Sequence, residues 1–83
     1  MAIIYDEVWI TTSREVKICL DAIKAYEKEL KELEEKHGIN GKELLLKIEK
    51  GYLPADHEIR WYETHLGLLR TRERLEGLKR FLE

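Results

Sequence analysis

Residues 16–37 read VKICLDAIKAYEKELKELEEKH. Within them Val16, Cys19, Ile23, Tyr26, Leu30, Leu33 and His37 follow one another at alternating spacings of three and four. Side chains three and four apart share one face of a helix, so this alternation predicts a single long helix with a heptad seam. In its first half Ile18, Leu20, Ala22 and Ala25 widen the apolar face, which calls for two neighbours. In its second half only the seam is apolar, which suits one. There Glu27 with Lys31 and Glu32 with Lys36 are spaced for ion pairs worth roughly 0.2–0.5 kcal/mol each.

Upstream, Thr12-Ser13-Arg14-Glu15 has the form of a capping box, so the helix is expected over residues 12–37. Residues 1–11, MAIIYDEVWIT, are rich in β-branched and aromatic side chains around Asp6 and Glu7. That composition predicts an extended arm or a short strand. No second strand is legible, so the arm would lie over the helices or be exchanged with a partner subunit. Downstream, Gly38 supplies a left-handed closing residue and Ile39 the apolar contact that usually follows it. Asn40 is a favoured N-cap with Glu43 three residues on, and a short helix is expected over residues 40–50, ended by Gly51.

Pro54 fits the first turn of a third helix over residues 54–82, where its missing N–H costs nothing. Trp61, Leu68, Leu75 and Leu82 recur every seven residues, and Tyr62, Leu66 and Leu69 form a second apolar row. Gly67 and Gly77 either admit a close neighbour or simply weaken the helix by about 1 kcal/mol each. The expected fold class is therefore all-α. A long, a short and a long helix form one helical hairpin, and two hairpins join in a dimeric four-helix-bundle-like core.

An 83-residue chain is a single domain with a marginal core. One cysteine excludes an internal disulfide, which leaves self-association as the natural supplement. Charged residues make up 39% of the chain, yet the net charge is only −2, so both signs are interleaved on solvated faces. With no glutamine, one asparagine and abundant Glu, Lys and Arg, the composition has a thermophilic cast. No apolar run reaches the ~20 residues of a membrane span, and residues 1–10 lack the charge pattern of a signal peptide. A cytoplasmic protein without a membrane partner is expected.

Chemistry is sparse. His57 and His65 share a helical face but lie roughly 12 Å apart, too far for one ion. His37 reads as a C-terminal helix residue favoured by the dipole. Cys19 lies among apolar residues without a base, and reads as a small buried hydrophobe rather than a nucleophile. No phosphate loop or catalytic set is present, so neither a cofactor nor an enzymatic activity is expected. The basic concentration Arg70, Arg72, Arg74 and Arg80 is interleaved with Glu73 and Glu76. It reads first as a ladder of ion pairs, and alternatively as a contact to nucleic acid or an acidic partner.

Three segments carry a resemblance: Leu33-Glu34-Glu35-Lys36-His37-Gly38, then Glu49-Lys50-Gly51-Tyr52-Leu53-Pro54-Ala55-Asp56, then Arg60-Trp61-Tyr62-Glu63. Together they resemble small all-helical antitoxins of prokaryotic toxin–antitoxin pairs. There a charged helix ends in a Tyr- or His-Gly turn, and a short helix closes with Lys-Gly before a helix opening on Trp and Glu. The similarity spans about residues 30–66 and carries over no catalytic residue. It implies docking of a protein partner on the hairpin. The expected function is a homodimeric interaction module that binds a protein through an apolar helix face. The alternatives are a nucleic-acid-binding helical dimer and a structural dimer of no catalytic activity. Val16, Cys19, Ile23, Tyr26, Leu30, Leu33, Trp61, Leu68 and Leu75 are the expected interface residues.

Overall fold

The computed structural model describes the backbone of residues 2–82 and the side chains of residues 8–81. Three helices follow in order: α1, Ala2–His37; α2, Gly41–Glu49; and α3, Asp56–Leu82. The described chain is all-helical, and α1 and α3 pack against each other. The packing is antiparallel, since partners on α3 move backward as α1 moves forward. Glu15 meets Arg74, Tyr26 meets Gly67, and Glu34 meets Trp61.

The extended arm is not formed. Residues 2–11 continue α1, and Thr12 is an interior residue of that helix rather than its cap. The seam itself explains this. Counting back from Val16, Thr12, Trp9, Tyr5 and Ala2 preserve the alternation of three and four. Thr12 is buried, and its hydroxyl donates to the Val8 carbonyl at 2.8 Å. This back-bond within the helix satisfies the hydroxyl without a capping role. Among the described residues there is no strand with which an arm could pair.

The connections follow the glycines. Gly38 has φ +64°, and the Ile39 amide donates to the Glu34 carbonyl, which closes α1 in a Schellman turn. Gly51 repeats the device after α2, with φ +96° and a Tyr52-to-Lys47 backbone bond. Asn40 caps α2 by accepting from the Glu43 amide. Pro54 lies just outside α3. The residue preceding the helix is Ala55, whose amide donates to the Glu58 carboxylate at 2.9 Å.

The core sits where all three helices meet. Leu30, Leu44, Trp61 and Leu68 are buried there, with Ile23, Tyr26, Leu33, Ile39, Leu45, Ile48 and Tyr62 packed around them. Cys19 and Leu75 extend the buried line along the hairpin. The molecule is a rod of 55 × 24 × 17 Å with a radius of gyration of 17.0 Å. A compact chain of this length would have a radius of about 12 Å. Even Cys19, Leu44 and Trp61 keep 3% of their surface, so the core is thin.

The two glycines of α3 do different things. A Cβ at Gly67 would lie 2.9 Å from Tyr26 Cζ, whereas one at Gly77 would meet nothing within 4 Å. Gly67 admits Tyr26 to the helix surface; Gly77 only loosens the backbone. Gly77→Ala is expected to stabilise the chain by about 1 kcal/mol, raising Tm by roughly 4–8 °C. Gly67→Ala is expected to gain less than that or to lose stability, and parallel thermal melts of the two variants check the contrast.

Candidate interaction surfaces

Cross-helix ion pairs mark the two open flanks of the hairpin. On one flank Arg74 meets Glu15 at 2.6 Å and Arg60 meets Glu29 at 3.2 Å. On the other Arg72 meets Glu27 at 3.4 Å, and the Trp61 indole donates to Glu34 at 3.2 Å. The arginines of α3 thus pair with α1 rather than with Glu76 along their own helix. All three pairs are solvent-exposed, so each contributes only about 0–1 kcal/mol. Their effect is on register. Arg70 and Arg80 are exposed and make no ion pair within 4.0 Å among the described residues.

The seam residues lie on the side of α1 that faces α3 in the same chain. Cys19, Leu30, Trp61, Leu68 and Leu75 are buried, and Val16, Ile23, Tyr26 and Leu33 are half-buried. The apolar side chains left outside are different ones. Val8, Trp9, Ile10, Ile18, Leu20, Leu69 and Phe81 are between 40% and 64% exposed. Trp9 stands five turns before Glu27 and Leu20 two turns before it, so both belong to the Glu27–Arg72 flank. Ile18 lies toward the opposite flank with Glu15 and Glu29. Sequence reading could have found the flank rows by asking which apolar residues remain once the seam is assigned to a partner within the chain.

On the Glu27–Arg72 flank, α2 crosses only one end of the hairpin. Gly41 lies against Trp61 so closely that a Cβ there would come within 2.5 Å of Trp61 Cζ2. His65 stacks on the face of Trp61, with ring centres 5.1 Å apart and planes inclined by 9°. Beside them an open cavity of about 410 Å³ is lined by Leu30, Leu45, Trp61, Leu68 and Arg72, among others. It is the continuation of the groove between α1 and α3 that α2 is too short to roof.

The closed end of the rod holds His37, Tyr52 and Glu58, whose ionisation the fold shifts. His37, at the end of α1, stacks on His57, in the first turn of α3, with ring centres 4.6 Å apart. Partial desolvation, the neighbouring His57 and Lys36 together hold the His37 pKa below its ordinary value of 6.5. The Tyr52 hydroxyl donates to Glu58 at 2.7 Å, and this bond and the Ala55 amide hold Glu58 below its ordinary range. The same bond pushes Tyr52 up. Glu43 and Lys47 line the adjacent cleft. Among the described residues no group of three or more His, Cys, Asp or Glu side chains could hold a metal ion.

The sign of the pH response follows from these directions. A lowered folded-state pKa stabilises the fold above the unfolded value and loses that contribution as pH falls through the folded one. His37 therefore predicts a decline in Tm on acidification beginning below about pH 6.5, and Glu58 a further decline below about pH 4.5. Tyr52, shifted upward, predicts a loss above about pH 10. Melting curves across this range check it, and His37→Gln is expected to remove the first decline and leave the second.

No helix among the described residues is long and apolar enough to cross a membrane. The fold and its surfaces define a long–short–long helical hairpin with exposed apolar side chains outside its seam. No protein-family model matches the chain, and neither a curated protein nor a solved structure matches it.

Proposed function

We propose that this chain is a homodimeric helical protein-interaction module, antitoxin-like, that binds a protein partner through an apolar helix face. The observation that carries the reading is the leftover apolar surface. The hairpin fills its own interior, yet Trp9, Leu20 and Leu69 stay 40–54% exposed, and a separate open groove lined by Leu30, Leu45, Trp61 and Leu68 lies at the end where α2 crosses. Single exposed apolar residues are ordinary, but several on a small chain that also carries an open apolar groove point to an interaction surface. The three turn segments that resemble antitoxins fall at the end of the rod where α2 crosses. No catalytic role is proposed for any residue.

The nucleic-acid reading is weaker. Arg72 and Arg74 spend their charge on Glu27 and Glu15, which leaves Arg70 and Arg80 as isolated cations. Such a surface neutralises few phosphates.

Co-purification of the chain with the product of the adjacent gene tests the reading. A stoichiometric complex, insensitive to 50–200 mM salt and lost in Leu69→Asp, is the expected result. Binding to a random DNA duplex that weakens steeply over the same salt range, with no protein complex, would overturn it.

A further inference from the structure

The charges of α1 are sorted by face. Its acids Glu15, Glu27 and Glu29 turn toward α3 and meet Arg74, Arg72 and Arg60. Its cations turn the other way. At about 100° per residue, Arg14, Lys17, Lys24, Lys28 and Lys31 lie roughly 100–160° from the buried Leu30, on the side away from α3. All are exposed, and among the described residues none makes an ion pair within 4.0 Å. They form a straight stripe about 25 Å long at 1.5 Å per residue, with Asp21 the one acid set among them. The net charge is −2, so this face is no by-product of a basic composition.

A stripe of one sign attracts a polyanion, and the residue types narrow which. The planar fork of arginine suits paired recognition of carboxylate and phosphate. Lysine is a strongly hydrated point charge on a flexible stem. This chain places arginines in the pairs between α1 and α3, whereas its outward stripe is lysine at every position but Arg14. Point charges of this kind add up over a diffuse anionic plane without needing a matching partner geometry.

Apolar side chains share the face. Ile10 stands on the same arc and Ile18 at its border, 45% and 60% exposed. The phosphates of a duplex offer isoleucine nothing, whereas a bilayer surface takes it into the boundary between headgroups and acyl chains. Neither isoleucine belongs to the Trp9, Leu20 and Leu69 surface assigned above to a protein partner. Shape agrees: a straight rod 55 Å long can lie flat, with the whole stripe inside a Debye length of about 10 Å from a plane. Adsorption of this kind needs no spanning helix.

We infer that the outward face of α1 is a docking surface for an anionic lipid bilayer. Arg14, Lys17, Lys24, Lys28 and Lys31 lie over the headgroups, and Ile10 and Ile18 enter the interface. The inference goes beyond the protein-binding reading and does not depend on it.

Flotation of the full chain with unilamellar vesicles tests it, comparing about 30% phosphatidylserine in phosphatidylcholine with phosphatidylcholine alone. Binding to the anionic vesicles only is expected, roughly tenfold weaker in about 200 mM salt than in about 50 mM. Lys24→Gln/Lys28→Gln removes two charges from the stripe and is expected to weaken binding roughly 30-fold. Lys17→Gln/Lys31→Gln, a second pair on the stripe, is expected to match it. Arg70→Gln/Arg80→Gln removes the same charge from the far side of α3 and is expected to stay within about threefold of the wild type. Glutamine preserves helix propensity, and circular dichroism checks the fold of each variant. No binding to the anionic vesicles at low salt, equal binding to the neutral ones, or equal losses in all three double variants would overturn the inference. So would a random DNA duplex or poly-glutamate that binds at a lower concentration of anionic groups than the vesicles do, which would reassign the stripe to a nucleic acid or an acidic protein.

Discussion

Trp61→Ala is expected to leave the chain without a cooperative unfolding transition near room temperature. Trp61 is 3% exposed and joins Leu30, Leu44 and Leu68 at the one place where all three helices meet. Its indole N–H donates to Glu34, its face carries His65, and its edge is what Gly41 packs upon. Truncating a buried tryptophan costs about 3–5 kcal/mol. A chain of 83 residues has a total stability of roughly 4–12 kcal/mol, and a thin rod-shaped core places this one toward the lower end. Urea unfolding followed at 222 nm is the measurement. A midpoint close to that of the wild type would mean that the three-helix junction is not the centre of stability.

Tyr26→Asp has the second largest expected effect. Tyr26 lies half-buried on the seam, with its ring against the backbone of Gly67. Aspartate there would place an unpaired carboxylate between α1 and α3 and vacate the space the ring fills. The expected loss is about 2–4 kcal/mol, combining desolvation of the carboxylate with the lost packing. Because the seam closes within one chain, the variant is expected to lose helix content and association together. A folded monomer with wild-type helicity would instead show that Tyr26 serves only the contact between copies.

The caps were the most legible part of the fold. Gly38, Asn40 and Gly51 each act through their own backbone freedom or side chain, so their roles are local and visible in sequence. The start of α1 was not, because Thr12-Ser13-Arg14-Glu15 fits two structures. Threonine caps a helix through its oxygen, and inside a helix it can bond back to the preceding turn. The choice depends on whether the seam continues upstream through Trp9, which a capping pattern conceals. The pairing of Arg72 and Arg74 across to Glu27 and Glu15 was equally hidden. Spacing along one helix suggests neighbours at four residues, whereas register between helices is fixed only by packing. The dependence of Trp61 on Gly41 lies wholly in the third dimension. Nothing local distinguishes Gly41, the first residue of α2, from a glycine that merely eases a turn.

The same distinction governs the interaction surface. Heptad periodicity located the apolar seam correctly but does not say whose helix covers it. With α3 folded against α1 in the same chain, the side chains offered outward are Trp9, Leu20 and Leu69 rather than Cys19, Leu30 and Leu68.

Cys19 provides a direct measurement of that division. It lies mid-seam, 3% exposed, and by the register of Tyr26 against Gly67 it stands level with residues 74–75 of α3. Its alkylation rate can be followed as the protein is diluted from micromolar to nanomolar concentration. A slow rate that does not change on dilution is expected, since the helix covering the thiol belongs to the same molecule. A rate that climbs as the protein is diluted would contradict the hairpin and assign the seam to another chain.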